Sequence, residues 1–189
     1  MKIQNLITVT ALAITTGLFS CNSSENSSNK MAEEANSDKF DSTDVKRDAD
    51  FAMEAASGGM MEVELGKLAQ VNASSQSVKD FGQTMIKDHS AANEELKSTA
   101  ASKNITLPDV PNADMQKKID DLRNKSGKDF DDAYIDLMVK DHKQDIDEFQ
   151  KEADKGNDPD LKGWAANKVP VLQHHLQMAQ DIQDQLNKK

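Results

Sequence analysis

No stretch of this chain alternates apolar and polar residues as a half-buried strand would, whereas apolar residues three and four apart recur from Val45 to Leu186. That absence, set against that spacing, predicts an all-α fold. The first predicted helix spans Val45 to Ala73, with Phe51, Ala55, Gly59, Glu62, Gly66, Ala69 and Ala73 on one stripe. Ser74-Ser75-Gln76-Ser77 breaks it, and a second helix continues to Ser102 through Val78, Phe81, Met85, His89, Ala92 and Leu96. So short a link makes the pair an antiparallel hairpin.

Beyond Ser102 the chain changes character. Asn104 to Pro111 is marked as extended by Pro108 and Pro111, and a short amphipathic helix follows over Met115 to Leu122. A third long helix is predicted over Lys128 to Lys155, with Phe130, Tyr134, Met138, His142, Phe149 and Ala153 in register. Gly156-Asn157 stops it. Asp158-Pro159 then reads as an N-cap with proline at the first helical position of a fourth helix, which carries Leu161, Ala165, Leu172, His175, Ala179, Ile182 and Leu186. Helices of this size are roughly 40 Å long, a length the chain between the second and third can span. The expected architecture is therefore a ferritin-like four-helix bundle whose long crossover, containing the short extra helix, makes the second and third long helices parallel. An up-down-up-down bundle with a decorated loop is the alternative.

The N-terminal segment reads differently. Residues 1–20 have the form of an export signal: Lys2 supplies a positive charge, Ile3 to Phe19 carries none, and Leu18-Phe19-Ser20-Cys21 resembles a lipobox. Cys21 is the chain's one cysteine, so no internal disulfide can form, and acylation of its sulfur accounts for an otherwise odd thiol. Residues 21–43 are rich in Ser, Asn and acids and read as a disordered tether, leaving 44–189 as the bundle domain. Net charge is −10, which argues against nucleic acid and anionic lipid surfaces as partners. The expected location is the cell envelope, lipid-anchored to a membrane, the outer rather than the inner, with no protein partner named by the sequence.

Met85-Ile86-Lys87-Asp88-His89 repeats as Met138-Val139-Lys140-Asp141-His142. In a bundle with those two helices parallel, His89, His142, His175 and Glu62 all fall near mid-height on apolar stripes. One carboxylate and three imidazoles suit zinc or another divalent transition ion, with Asp88 and Asp141 as supporting acceptors or interhelical partners. Met85 and Met138, each one turn before a histidine, would favour copper if they took part. A small ligand in place of a metal at this cluster belongs to the same reading, and the competing one is a structural or interaction protein whose buried polar cluster only fixes helix packing. A hydrolytic role with Glu62 as general base ranks last, because neither His-Glu-x-x-His nor a nucleophile elbow is present.

The segments FAMEAASGGMMEVELGKLA, VKDFGQTMIKDH, YIDLMVKDH, LKGWA and VPVLQHHLQMA resemble the exported bacterial domain-of-unknown-function family 4142, placed in the ferritin-like superfamily. The resemblance implies a helical bundle in an envelope protein and brings no activity. Di-iron members of that superfamily use Glu-x-x-His pairs, but here Ile86, Val139 and Leu172 stand three residues before the histidines. Carboxylate-bridged di-iron chemistry is therefore not expected.

Overall fold

The computed structural model describes residues 22–40 and 43–188, and among them every regular element is a helix. These are α1 (Asn22–Lys39), α2 (Thr43–Asn72), α3 (Gln76–Ser102), α4 (Ala113–Arg123), α5 (Gly127–Lys155) and α6 (Pro159–Asn187). None is long and apolar enough to cross a membrane. The all-α expectation holds, and so do the four long helices with a short extra one, α4, in the crossover.

Polar contacts at the helix ends define the topology. Asp131 near the start of α5 accepts from Ser74 N (3.1 Å), Ser74 Oγ and Ser75 N (2.9 Å), so α5 begins where α3 begins. At the other end, Asp48 of α2 accepts from Asn157 N and Asp158 N, and Lys103 after α3 pairs with Asp158 (2.9 Å) and Asp160. Hence α3 and α5 run parallel, and α2 and α6 run against them. The crossover travels the length of α2: Asn112 N donates to Ser57 Oγ midway, and Asn72 Nδ2 reaches Arg123 O at the far end. Asp131 is 2% exposed and holds three donors, so Asp131→Ala should cost about 2 kcal/mol in urea unfolding. An unchanged midpoint would show that those donors find other partners.

Local signals explain the boundaries. Asp158 caps α6 by accepting from Asp160 N and Leu161 N, with Pro159 in the first turn, and Asn112 caps α4 through Met115 N. Pro170 lies inside α6 without ending it. Ala166, whose carbonyl loses its usual donor there, is exposed to water. Gly66 and Gly82 bring α2 and α3 together: a Cβ on Gly66 would sit 2.6 Å from the carbonyl oxygen of Gly82.

One expectation fails. Residues 21–43 were expected to be a disordered tether, yet Asn22–Lys39 is helical and docks on the crossover. Asn36 is 1% exposed; its Nδ2 donates to Thr106 O (2.9 Å) and its Oδ1 accepts from Thr106 N (2.8 Å). Asn29 Nδ2 reaches Val110 O and Pro111 O. The helix is held by side-chain amides on loop backbone rather than by an apolar stripe. Cys21 and the signal segment 1–20 lie outside the described residues.

The core is divided. One apolar cluster includes Met61, Leu65, Phe81, Met85, Phe130, Tyr134 and Met138. The other includes Ala49, Ala52, Leu96, Leu161 and Trp164, with Phe51 and Phe149 against it. Between them lies a layer of buried polar side chains.

Candidate metal centre

Glu62 of α2, His89 of α3, His142 of α5 and His175 of α6 meet in that layer, none more than 7% exposed. Each arrives there because it follows its helix's buried stripe. His89 comes one turn after fully buried Met85, and His142 one turn after fully buried Met138. One ring nitrogen from each of the three histidines lies within 4.8 Å of the other two.

The proton positions follow from the partners. His142 Nδ1 is 3.1 Å from the carbonyl oxygen of Met138, which can only accept, so Nδ1 carries the hydrogen and Nε2 a lone pair. His175 Nε2 is 3.0 Å from Asp88 Oδ2; the carboxylate accepts, which leaves the lone pair on Nδ1. His89 Nδ1 lies 2.6 Å from Glu62 Oε2, with one proton between them, and its Nε2 is buried without a hydrogen-bond partner. Two acceptors then face the lone pair of His142 Nε2. His142 Nε2 is 3.4 Å from His175 Nδ1 and 3.5 Å from Glu62 Oε1, and that oxygen is itself buried without a partner.

Burial pushes the imidazoles toward the neutral form, His89 to about 4, His142 to about 3 and His175 to about 4. For His142 the neighbouring imidazoles add to the effect, while the Asp88 hydrogen bond opposes it at His175. The same desolvation, reinforced by Asp141, raises Glu62 well above the usual carboxylate range. Neutral rings are what metal ligation requires; an ion would have to displace the proton that burial favours on Glu62.

The remaining candidates separate. Asp88 serves as the acceptor that orients His175. Asp141 makes an interhelical pair with Lys118 of α4 at 2.7 Å and touches no imidazole. Met85 and Met138 belong to the apolar cluster, and Met138 meets His142 through its carbonyl oxygen. His174 is exposed. Asp145 was not foreseen: one of its oxygens lies within 4.8 Å of ligand atoms of Glu62 and His142, and burial together with Glu62 raises its carboxyl well above the usual range. Its position three residues after His142 is the signal that would have found it.

A cavity of about 250 Å3 reaches this layer, with Glu62, His89 and His175 in its wall.

Comparison with known proteins adds the frame. The sequence profile of the family described as Domain of unknown function (DUF4142) matches residues 29–182, in keeping with the resemblance seen in the sequence. No curated protein matches the chain. The crystal structure of a DUF305 protein from Streptomyces coelicolor, described as secreted, superposes with a TM-score of 0.64 at 13% identity, covering 75% of this chain and 92% of that one. At that identity the likeness is one of fold.

Proposed function

The chain belongs to the DUF4142 family, whose description carries no activity, and we propose from its own residues that it is an exported, lipid-anchored domain binding one divalent transition-metal ion. His142 Nε2, His175 Nδ1 and Glu62 Oε1 are the proposed ligands, with zinc as the first candidate.

The setting of His142 Nε2, which faces His175 Nδ1 on one side and Glu62 Oε1 on the other with no well-placed donor between, supports this reading. A network that served only to fix helix packing would place a proton in each contact. A protonated Glu62 could offer one, but 3.5 Å is too long for O–H to nitrogen. Two ligands at a tetrahedral angle on an ion with bonds of about 2.0–2.1 Å stand about 3.3–3.4 Å apart, close to the two separations from His142 Nε2. Each proposed ring also donates its other N–H to an oxygen, the arrangement that orients metal-bound histidine. Nitrogen and oxygen donors favour zinc over Cu(I), since Met85 and Met138 sit in the apolar cluster. His89 then holds Glu62 through Nδ1, and Asp145 is within reach as a further acid.

Metal content tests it. Protein purified from its native compartment without a histidine tag should carry about one transition-metal ion per chain by mass spectrometry, lost in His142→Ala. A metal-free protein that takes up neither zinc, copper nor iron would leave the packing role in its place.

Export and anchoring rest on the apolar run Ile3 to Phe19 and the lipobox ending in Cys21; the fold neighbour described as secreted is in keeping with them. Cys21→Ser should move the protein from the membrane fraction to the soluble fraction. Retention in the membrane fraction would count against a lipid on that sulfur.

A further inference from the structure

Between α3 and α4 the crossover runs outside any helix or sheet, so its backbone groups need partners from elsewhere, and α1 supplies them. Asn36 Nδ2 donates to Thr106 O (2.9 Å), and Asn36 Oδ1 accepts from Thr106 N (2.8 Å). Asp109 N donates to Ser28 Oγ (3.0 Å), Asn29 Nδ2 to the carbonyl oxygens of Val110 and Pro111, and Lys39 Nζ to that of Asn104 (3.1 Å). Ser28, Asn29, Ala32, Asn36 and Lys39 fall at helical spacing on one stripe, so these contacts are made or lost together.

That stripe buries little apolar surface. From Ser27 to Lys39 the buried residues are Ala32 and Asn36, and Met31 is 64% exposed. Half of the residues of α1 are Ser or Asn, which favour caps and turns over helix interiors. A helix of 18 residues with that composition is marginal in water on its own. Off the crossover, nothing would hold it helical. Phe40, which follows it, packs against the apolar cluster of Ala49 and Trp164 and so stays with the bundle.

We infer that α1 is a releasable strap, which leaves the crossover and melts as one unit while α2 to α6 stay folded. Release relocates the point at which the N-terminal chain departs from the bundle. Docked, α1 runs back along α2: Asn36 lies beside Thr106, and Asn29 beside Pro111, whose neighbour Asn112 is bonded to Ser57 midway along α2. The chain then departs about two turns beyond Asn29, on the flank of the bundle. Released, it departs at Phe40, near the start of α2, and the freed 18 residues span on the order of 25 Å. A domain anchored at Cys21 thereby exchanges a held, side-on orientation for a free, end-on one. That consequence rests on the anchoring proposed above; the release itself does not.

Hydrogen exchange read by mass spectrometry on the full chain in detergent tests the release. The amides of α1 should exchange through an opening at least about 100-fold more populated than any that exposes the long helices, yet more slowly than in an unstructured chain. Asn36→Ala, which takes from Thr106 N and O their partner, should speed exchange in α1 about tenfold and leave α2, α3, α5 and α6 as they were. Protection of α1 equal to that of the bundle, no protection of α1 at all, an α1 indifferent to Asn36→Ala, or protection lost from the long helices of the variant would each overturn the inference. The measurement on the unaltered chain decides the matter even if the variant does not fold. Fractionation of Cys21→Ser tests the anchor separately, so either reading can fail while the other stands.

Discussion

Zinc added to the metal-free protein should raise its unfolding midpoint by roughly 10 °C. A ligand that binds only the folded state at about 1,000 times its dissociation constant contributes about 4 kcal/mol, and about 2–4 °C of midpoint accompanies each kcal/mol in a domain of this size. The proposed ligands come from three helices and are spread from position 62 to position 175, so unfolding separates them and leaves no comparable site. The gain should disappear in His142→Ala and in His175→Ala, whose own metal-free midpoints serve as the baselines. If either variant were stabilised by zinc as much as the parent, the ion would be bound elsewhere.

Glu62→Gln should act in opposite directions with and without metal. With zinc, loss of the one anionic ligand should weaken binding by about 100-fold or more. Without it, the amide can still accept from His89 Nδ1, and it has no carboxyl proton to lose inside the buried layer. The variant should then be more stable than the parent at pH 7 by about 1–2 kcal/mol. The pH dependence follows from the direction of the Glu62 shift. Its folded carboxyl holds the proton well above the range where the unfolded chain releases it. As pH rises from about 4.3, the parent therefore loses up to about 1.4 kcal/mol per unit until the folded carboxyl ionises, and the glutamine variant does not. The gap opens toward neutral pH and closes in acid. The three imidazoles run the other way: their stabilisation is full above about 6.5 and lost as pH falls toward about 4, but both proteins share it, so to first order it cancels in the difference. A glutamine variant less stable than the parent at pH 7 in chelator would mean that Glu62 is already satisfied.

Periodicity made most of this legible. Glu62, His89, His142 and His175 could be brought together from the sequence because each interrupts an apolar stripe, and a polar residue on such a stripe must enter the core. The crossover was legible from Pro108, Pro111 and the length of chain between two strongly periodic helices. Asp145 was not, because Lys143-Gln144-Asp145-Ile146-Asp147-Glu148 resembles a solvated face, and only the packing of α5 against α2 buries part of it. Nor was α1, whose hold on the bundle is Asn36 and Asn29 gripping loop backbone 70 to 82 positions away. Side-chain amides that find distant carbonyls leave no periodic trace. The partner of Asp141 was hidden for the same reason, since Lys118 reaches it from the crossover helix.

The polar layer that splits the core also bears on how the molecule opens. Met61, Leu65, Phe81 and Phe130 hold one end, while Leu96, Leu161 and Trp164 hold the other, and the side chains between them contribute little apolar burial. Without an ion, amide hydrogen exchange should divide α2, α3, α5 and α6 into two blocks of unequal protection, each opening at its own free energy. A bound ion joining α2, α5 and α6 at the boundary would make partial opening break its coordination, and the two protection levels should merge. Metal occupancy would then control whether this domain behaves as two cooperative units or as one.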